Sequence, residues 1–336
     1  MISDDEPKTR RTGFHKRRFM EIPFERTGRV IQTKKRKPRL KPLITLVGLR
    51  VPSYTRSMYT YTGRVAIITG GASGIGRALG EELARCGAVV ILSDLNGDLA
   101  TQVAGAITAG GGRAEGVLLD VTDAEAFRNL VIDTISRFGR LDYLFNNAGV
   151  TVGGEALDLD DAMWNRVLGT DLIGVVNGVR AAYPLMVVQG FGHIVNTSSL
   201  SGLAPSPFQV PYITSKFGVV GLSLALRAEA RDLGVKVSVV CPGVIDTPIL
   251  KTTPIVGLDR ERIFGLFPKG MAPSTCARKI LRGIEKNRAI VVVTGLARIM
   301  WLLYRVSPAL IEYIGVLVMR RIRAMRRMSI KSPPKD

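Results

Sequence analysis

Histidine and cysteine are scarce in this 336-residue chain. His15 and His193 are the only two histidines, which argues against a histidine-based metal site or a Ser-His-Asp triad. The three cysteines, Cys86, Cys241 and Cys276, stand far apart in apolar surroundings and form neither a metal cluster nor a disulfide framework. We therefore expect reduced, buried thiols, no bound metal and a cytoplasmic protein.

Net charge is almost absent from the middle of the chain, although the whole chain carries +19. Residues 58–295 contain 22 Lys/Arg and 21 Asp/Glu, whereas residues 1–57 carry +11 and residues 296–336 carry +7. This balance argues against a basic face that reads nucleic acid on the central body. The basic ends contain few interleaved aromatic residues, so nucleic acid is the least favoured partner.

The N-terminal segment 1–57 shows no sustained periodicity and is predicted to be a disordered basic leader. No long apolar segment follows its charges, so it does not match a secretory signal. Met58 directly precedes the first strand pattern, and an over-extended reading frame is an alternative explanation of the leader.

The C-terminal segment 296–336 is predicted to be a basic, amphipathic extension. Its second apolar run, 309–319, has 11 residues, which is too short to span a bilayer alone, and five arginines follow. Two interpretations fit: the segment lies on an anionic membrane surface, or it docks as a helix on the domain or on a sister subunit.

From residue 64 onward, short apolar runs alternate with helical periodicities. Seven such runs are predicted as strands, and they are apolar on both faces, as in a parallel sheet covered by helices on both sides. The central segment 58–295 is therefore predicted to be a single doubly wound α/β Rossmann domain with a seven-stranded parallel sheet.

The segment "TGGASGIG" (69–76) follows the first strand and opens a helix. Glycines at this turn allow close approach of backbone to a ligand, and the helix N-terminus favours a pyrophosphate. A tight strand-to-helix connection without a ligand is the alternative for this motif alone. The candidate contacts of a bound dinucleotide are Gly70, Ser73, Gly74, Ile75 and Gly76.

Asp94, at the end of the second strand, favours NAD over NADP. Its carboxylate can accept hydrogen bonds from both adenosine ribose hydroxyls and would repel a 2′-phosphate. Neither Ser73 nor Leu95 supplies a cation for such a phosphate. The alternative is that Asp94 only caps the helix that begins near Asn96.

The ends of three later strands supply the remaining candidate cofactor contacts. Turn-forming residues at these ends would meet the ligand at one edge of the sheet, because all strands of a parallel sheet point the same way. The candidates are Asp120 and Val121 after the third strand, Asn147, Ala148 and Gly149 after the fourth, and Pro242, Gly243 and Thr247 after the sixth.

Tyr212 and Lys216 are four residues apart and project from one face of a predicted helix. An ammonium beside a phenol, together with a cationic nicotinamide ring, favours the phenolate and makes tyrosine a usable proton carrier. Ser199 lies just past the fifth strand, where its hydroxyl can hydrogen-bond a substrate carbonyl oxygen. A lone Tyr-x-x-x-Lys pair is otherwise an ordinary polar pair at a helix start.

With these motifs in order over about residues 60–295, the chain resembles the short-chain dehydrogenase/reductase family. The resemblance implies a seven-stranded Rossmann sheet and reversible oxidoreduction of an alcohol and a carbonyl. It also implies that Tyr212 is the acid/base, that Lys216 lowers its pKa and holds the nicotinamide ribose, and that Ser199 orients the substrate.

Asp171 departs from the family pattern, which usually has an asparagine in a stretch like the "TDLIG" found here. An aspartate cannot donate a hydrogen bond as an amide does, and its charge favours the cationic lysine. We predict slower or pH-shifted turnover. A catalytically weak dinucleotide-binding sensor or scaffold is the alternative function.

Residues 249–271 interrupt the strand and helix rhythm and are predicted to be a substrate lid with an apolar inner surface. This pattern favours a bulky, hydrophobic alcohol or ketone, although lids also pack apolar residues against their own domain. We further expect a homo-oligomer. The sequence leaves the substrate and the direction of the reaction open.

Overall fold

Seven apolar runs form a single parallel sheet in the computed structural model, which describes residues 61–265 and 268–331. The predicted leader, 1–57, lies outside the described residues. The strand order is β3-β2-β1-β4-β5-β6-β7, which confirms the predicted doubly wound sheet. The strands are β1 (Val65–Thr69), β2 (Val89–Asp94), β3 (Arg113–Leu118), β4 (Tyr143–Asn146), β5 (Gly192–Thr197), β6 (Val235–Cys241) and β7 (Ile290–Val292).

Helices connect the strands and cover both faces of the sheet. The stretch 160–188, predicted as one helix, is two helices joined by a π-helical segment, Gly169–Ile173. The predicted lid contains two short helices in place of irregular chain. The helices are α1 (Gly74–Arg85), α2 (Gly97–Ala109), α3 (Ala124–Phe138), α4 (Asp161–Leu168), α5 (Gly174–Gln189), α6 (Val210–Glu229), α7 (Pro248–Thr252), α8 (Arg260–Phe264), α9 (Pro273–Glu285), α10 (Gly295–Val306) and α11 (Pro308–Lys331).

Two hydrophobic cores lie on opposite faces of the sheet. On one face, Leu79 and Leu83 of α1 pack with Ile280 of α9. On the other face, Phe127 of α3 packs with Ala182 of α5. Because both sheet faces are covered, β1, β2 and β4 are mostly buried and apolar, which explains why they appear as apolar runs in the sequence, whereas the edge strand β3 is more exposed and contains an arginine and a glutamate.

The three cysteines are buried and unpaired, as predicted. Burial raises the pKa of Cys241 and of Cys276 to about 12 each, so both thiols stay protonated at neutral pH.

The sheet places a crevice at the carboxyl ends of its central strands. β1 pairs with β2 on one side and with β4 on the other. From β2 the sheet continues to β3 on one side, and from β4 it continues to β5, β6 and β7 on the other side. Such a reversal of strand order opens a space for a ligand above the carboxyl edge of the sheet. Thr69, Asp94 and Asn146 end the strands that border it.

The C-terminal extension forms α10 and α11. The apolar run 309–319 lies within α11, which continues through the arginines to residue 331. By length and composition, the stretch Asp161–Gln189 could cross a membrane, but half of its apolar window is buried in the domain. The helix α10 and the part of α11 up to Arg326 meet that criterion only as a pair, and they are bent by 118°.

Candidate active site

The turn between β1 and α1 brings backbone to the crevice. Gly70 and Gly74 have positive φ angles of 64° and 54°, which side-chain-bearing residues rarely adopt. A Cβ at Gly76 would lie 2.1 Å from the carbonyl oxygen of Gly70, so only glycine fits there. The sequence therefore fixes a tight loop at the N-terminus of α1, where backbone N–H groups favour a phosphate.

Asp94 ties the end of β2 to this turn. One carboxylate oxygen accepts a hydrogen bond from Ala72 N at 3.1 Å, and the other accepts one from Asn96 N at 3.0 Å. The N-cap of α2 is Asn96, whose side chain accepts a hydrogen bond from Leu99 N, so Asp94 is not that cap. Each carboxylate oxygen keeps a second lone pair for a ligand hydroxyl.

The end of β3 is arranged by a short turn. Asp120 accepts hydrogen bonds from both the backbone N and the hydroxyl of Thr122, at 2.8 and 2.7 Å. Asp123 caps α3 through hydrogen bonds from two backbone N–H groups. Asp120 and Val121 therefore stay at the cavity wall, where they line the same space as the glycine turn.

The end of β4 is held to the end of β1 by Thr69. The Thr69 hydroxyl accepts hydrogen bonds from Asn147 N at 2.9 Å and Ala148 N at 3.0 Å. The Asn147 side chain donates to Thr69 O at 3.0 Å. A Cβ at Gly149 would lie 3.2 Å from an Asp171 oxygen and 3.4 Å from Lys216 Nζ, so this loop passes directly over the buried ion pair.

Ser199, Tyr212 and Lys216 meet at the carboxyl end of β5 and the start of α6. The Lys216 Nζ atom lies 5.3 Å from the centre of the Tyr212 ring. The Ser199 hydroxyl accepts a hydrogen bond from Ser201 N at 3.1 Å, and its interaction with the Tyr212 side chain acts to lower the pKa of Tyr212. By contrast, Ser198 is buried and its hydroxyl donates to Lys216 O at 2.8 Å, so it is engaged with backbone.

Lys216 is buried, and two protein groups contact its ammonium. It forms an ion pair with Asp171 at 2.9 Å and donates a hydrogen bond to Thr197 O at 3.2 Å. The second carboxylate oxygen of Asp171 accepts a hydrogen bond from Val150 N at 2.7 Å. Asp171 lies in the π-helical segment between α4 and α5, and its side chain is completely buried.

The ion pair changes the proton affinities around it. Burial is the largest effect and opposes the charge on Lys216, but the interactions with Asp171, Tyr212 and Cys241 together outweigh burial and raise the pKa of Lys216. Burial raises the pKa of Tyr212, Lys216 lowers it, and Asp171 raises it further. The carboxylate thus offsets part of the effect of the lysine on the phenol. The role assigned to Lys216 in lowering the pKa of Tyr212 stays a prediction.

Residues after β6 close the site from the other side. Pro242 O accepts a hydrogen bond from Leu200 N at 2.7 Å, which links this turn to the Ser199 segment. A Cβ at Gly243 would lie 2.3 Å from the Thr294 hydroxyl, so β6 and the start of α10 approach closely. The methyl group of Thr247 faces the glycine turn of β1.

These elements enclose one cavity of about 1320 Å³. It brings together all the predicted cofactor contacts except Gly76, which packs behind the turn, and it includes Ser199, Tyr212 and Lys216. Asp171 contacts the site only through Lys216 and Val150. Residues of the segment 249–271 also line the cavity, and its role as a substrate lid stays a prediction.

The C-terminal helices α10 and α11 also line this cavity, which the sequence motifs did not predict. Their lining residues follow a helical spacing of three or four, which an analysis of helix faces would have detected. These residues are Leu296 and Met300 of α10 and Ile311, Ile314, Gly315, Val318, Arg321 and Ile322 of α11.

Comparison with known proteins identifies the family. A family model described as short chain dehydrogenase matches residues 64–254, more than half of the chain. The chain belongs to the short-chain dehydrogenase/reductase family. The match ends within the lid segment, so α10 and α11 lie outside it. The matched region therefore contains β1 to β6 and the loops at their carboxyl ends, whereas β7 and the C-terminal helices are not part of it.

One relative with a similar sequence is much longer than the region that it shares with this chain. "Probable oxidoreductase EphD" of Mycobacterium tuberculosis is 37% identical over 252 residues, which are 72% of this chain but 43% of that protein. The chain thus spans less than half the length of that relative.

Two solved structures of family members contain different dinucleotides. A short-chain dehydrogenase/reductase of Burkholderia phymatum in complex with NAD is 28% identical, with a TM-score of 0.68, and the match covers 75% of this chain and 96% of that one. A gluconate 5-dehydrogenase of Beutenbergia cavernae with NADP at low occupancy is 29% identical, with a TM-score of 0.63, over 71% and 98%.

Proposed function

We propose that this protein interconverts a secondary alcohol and a carbonyl on a hydrophobic substrate, with NAD as cofactor and Tyr212 as acid/base. The observation that carries the proposal is the shared cavity of Ser199, Tyr212, Lys216 and the glycine turn. A bound nicotinamide dinucleotide supplies the hydride acceptor or donor. The protein side chains supply the proton and the orientation.

The three polar side chains have distinct roles in the proposal. In alcohol oxidation the Tyr212 phenolate accepts the hydroxyl proton, and in carbonyl reduction the phenol returns it. The Ser199 hydroxyl donates a hydrogen bond to the substrate oxygen and offsets its developing charge. The Lys216 ammonium stabilises the phenolate and is assigned to hold the nicotinamide ribose.

The residues at the carboxyl edge fit a dinucleotide. The loop has no room for a Cβ at Gly76. Its residues that line the cavity at the start of α1 are Gly70, Ser73, Gly74 and Ile75. Asp94 keeps lone pairs for two ribose hydroxyls and would repel a 2′-phosphate, which supports NAD over NADP. Because solved members of the family carry either NAD or NADP, the preference rests on Asp94 and its neighbours.

The lining of the substrate end supports a hydrophobic substrate. Phe208 and Ile263 are buried and pack against α11, and Ile249 and Leu250 face the same cavity. An apolar wall of this kind favours apolar ligands, because polar groups would lose hydrogen bonds to water on entering it.

Substitution of Tyr212 by phenylalanine tests the proposal. We expect the variant to lose about 10²- to 10⁴-fold in turnover, because only the hydroxyl that carries the proton is removed. NADH oxidation, followed by absorbance with a panel of hydrophobic ketones, measures turnover, and NADH fluorescence checks that binding is retained. Tyr183→Phe on α5 is the matched control, since Tyr183 does not line the cavity. Turnover of Tyr212→Phe at the wild-type rate would contradict the assignment.

A dinucleotide-binding sensor or scaffold is the second candidate function. The buried pair of Lys216 with Asp171 favours it, because the carboxylate weakens the effect of the lysine on Tyr212. Binding of NADH by the wild-type protein, without turnover of any alcohol or ketone in the panel, would support this candidate over the enzyme.

We also propose that α10 and α11 rest on an anionic membrane surface. Leu302, Val306, Tyr313 and Leu317 are exposed on these helices, and arginines follow within α11. We expect Leu317→Glu to reduce flotation with vesicles that contain phosphatidylserine, whereas Val188→Glu on α5 leaves it unchanged. Equal flotation of both variants would contradict the assignment. Homo-oligomer formation stays a prediction.

A further inference from the structure

One face of α11 forms the wall of the cavity opposite the sheet. Ile311, Gly315, Val318 and Ile322 follow one another at spacings of four, three and four, which places them on a single helix face. Ile311 and Ile322 are each only 4% exposed. We call this face the roof of the cavity.

Two ion pairs hold the roof to a segment far away in the sequence. Arg323 pairs with Glu155 at 2.6 Å, and Arg326 pairs with Asp158 at 2.7 Å. Both carboxylates lie between β4 and α4. The Arg326 guanidinium also passes close to Gly257, where a Cβ would lie 3.1 Å from it.

Apolar contacts complete the attachment. Ile322 packs with Phe208, which precedes α6, and with Ile263 of the lid segment. Gly315 allows α11 to approach Pro207, since a Cβ at Gly315 would lie 3.3 Å from the proline ring. The roof is therefore attached to three separate parts of the domain, and its position relative to Tyr212 is defined.

The cavity beneath the roof is larger than a typical small-molecule site. Its volume of about 1320 Å³ exceeds the roughly 300–1,000 Å³ of ordinary ligand pockets. It is continuous from the glycine turn, past Tyr212, to Ile322. A dinucleotide along the sheet edge would leave the space under α11 for a second, apolar ligand.

We infer that the roof is the binding site for the apolar tail of an elongated substrate and that Val318 limits the length of that tail. The inference rests on the proposed function, because it assumes that the reacting end of the substrate lies at Tyr212. Val318 lines the cavity beside Gly315, and it is 40% exposed. A larger side chain at this position fills the space that the tail needs.

The structure offers a matched pair of variants on one helix. Val318 lines the cavity, whereas Val316 does not, and their exposures are 40% and 43%. We expect Val318→Trp to raise KM for 2-dodecanone at least tenfold and to leave KM for 2-butanone unchanged. We expect Val316→Trp to change neither value. An unchanged ratio of the two KM values in Val318→Trp, or equal changes in both variants, would overturn the inference.

A binding experiment separates this inference from the proposed function. Nile red is a neutral, apolar fluorophore, so its displacement by 2-dodecanone reports binding without any turnover. We expect Val318→Trp to weaken displacement at least tenfold relative to Val316→Trp. If the wild-type protein turns over no ketone but this difference appears, the proposed function fails and the apolar site stands. If both variants bind as the wild type does, the roof is not the site.

Variants of the ion pairs at the roof test whether these pairs position α11 over the cavity. Asp158→Arg places like charges beside Arg326 and is expected to raise KM for 2-dodecanone severalfold, with kcat for 2-butanone unchanged. The exchange of charges in Asp158→Arg with Arg326→Asp is expected to restore selectivity. Asp133→Asn on α3, which removes a surface pair with Arg137, is the control. If the exchange restores nothing, or if the single variant has no effect, the ion pairs do not position the roof.

Discussion

The two sides of the cavity use ion pairs in different ways. At its floor, Lys216 and Asp171 are 4% and 0% exposed, and each is surrounded by protein. At its roof, Arg323 and Arg326 are 58% and 38% exposed and remain in contact with water. A buried charge without its partner is costly, whereas an exposed one is readily solvated. Breaking the ion pair at the floor is therefore expected to cost more than breaking either ion pair at the roof.

Removal of Lys216 is the strongest test of that difference. Lys216→Met leaves Asp171 buried without its counter-charge, and we expect a loss of about 3–5 kcal/mol in the free energy of unfolding at pH 7. Arg326→Met at the roof is expected to cost less than about 1 kcal/mol. Urea unfolding followed by tryptophan fluorescence measures both values.

A double variant shows whether the unpaired charge causes the loss. Lys216→Met together with Asp171→Asn removes both charges and is expected to recover most of the stability. The comparison between floor and roof is wrong if Lys216→Met costs no more than Arg326→Met.

A buried histidine extends the comparison to a group without a counter-charge. His193 lies in β5, and its Nε2–H donates to the hydroxyl of Ser238 at 2.9 Å, because that hydroxyl donates its own hydrogen to Arg288 O. Burial lowers the pKa of His193 to about 3, and the positive charges of Lys236 and Arg227 lower it as well. The side chain is therefore neutral in the folded protein at neutral pH.

Acidification is expected to destabilise the sheet through His193. Between pH 6.5 and pH 3 the unfolded chain binds the proton that the folded protein excludes, so stability falls as pH falls. The slope is about 1.4 kcal/mol per pH unit, or about 2 kcal/mol between pH 6.5 and pH 5. We expect His193→Asn to lose this part of the slope in urea unfolding at pH 7, 6 and 5. Equal slopes in the variant and the wild type would show that His193 is not the group responsible.

The sheet could be predicted because each strand has a local pattern in the sequence. Each is a short apolar run bounded by glycine or by polar residues, and buried parallel strands need apolar residues on both faces. The lengths of helices were harder to predict. The apolar run in α11 stops at residue 319, but arginine, methionine and alanine also favour helix and carry it to residue 331, so the apolar pattern does not mark the end of this helix.

The candidate site was predictable only where short motifs mark it. Residues such as Asp94 and Tyr212 stand at fixed places relative to a strand or a helix start. The pairs of Arg323 with Glu155 and of Arg326 with Asp158 join residues 168 positions apart, and no local pattern reports such contacts. The π-helical segment that holds Asp171 shifts the helical periodicity by one residue, which is too little to detect in one sequence.

Asp171→Asn has the smallest expected effect, and it tests directly how the ion pair at the floor changes the pKa of Tyr212. Asp171 raises the pKa of Tyr212, so its neutralisation is expected to lower that pKa. The amide oxygen can still accept the hydrogen bond from Val150 N, which preserves the loop. The limb of alcohol oxidation on which the rate rises with pH should move to lower pH, because the phenolate then forms at lower pH, and the rate below that limb should increase.

The same experiment distinguishes a tuned proton carrier from a structural carboxylate. The pH dependence of kcat/KM is compared for the wild type, Asp171→Asn and Asp133→Asn, the last being a surface control. If the role of Asp171 is purely structural, Asp171→Asn changes the stability of the protein but not the pH at which kcat/KM rises. A limb that moves only in Asp171→Asn means that the ion pair at the floor sets the pH at which Tyr212 works, whereas the exposed pairs at the roof leave that pH unchanged.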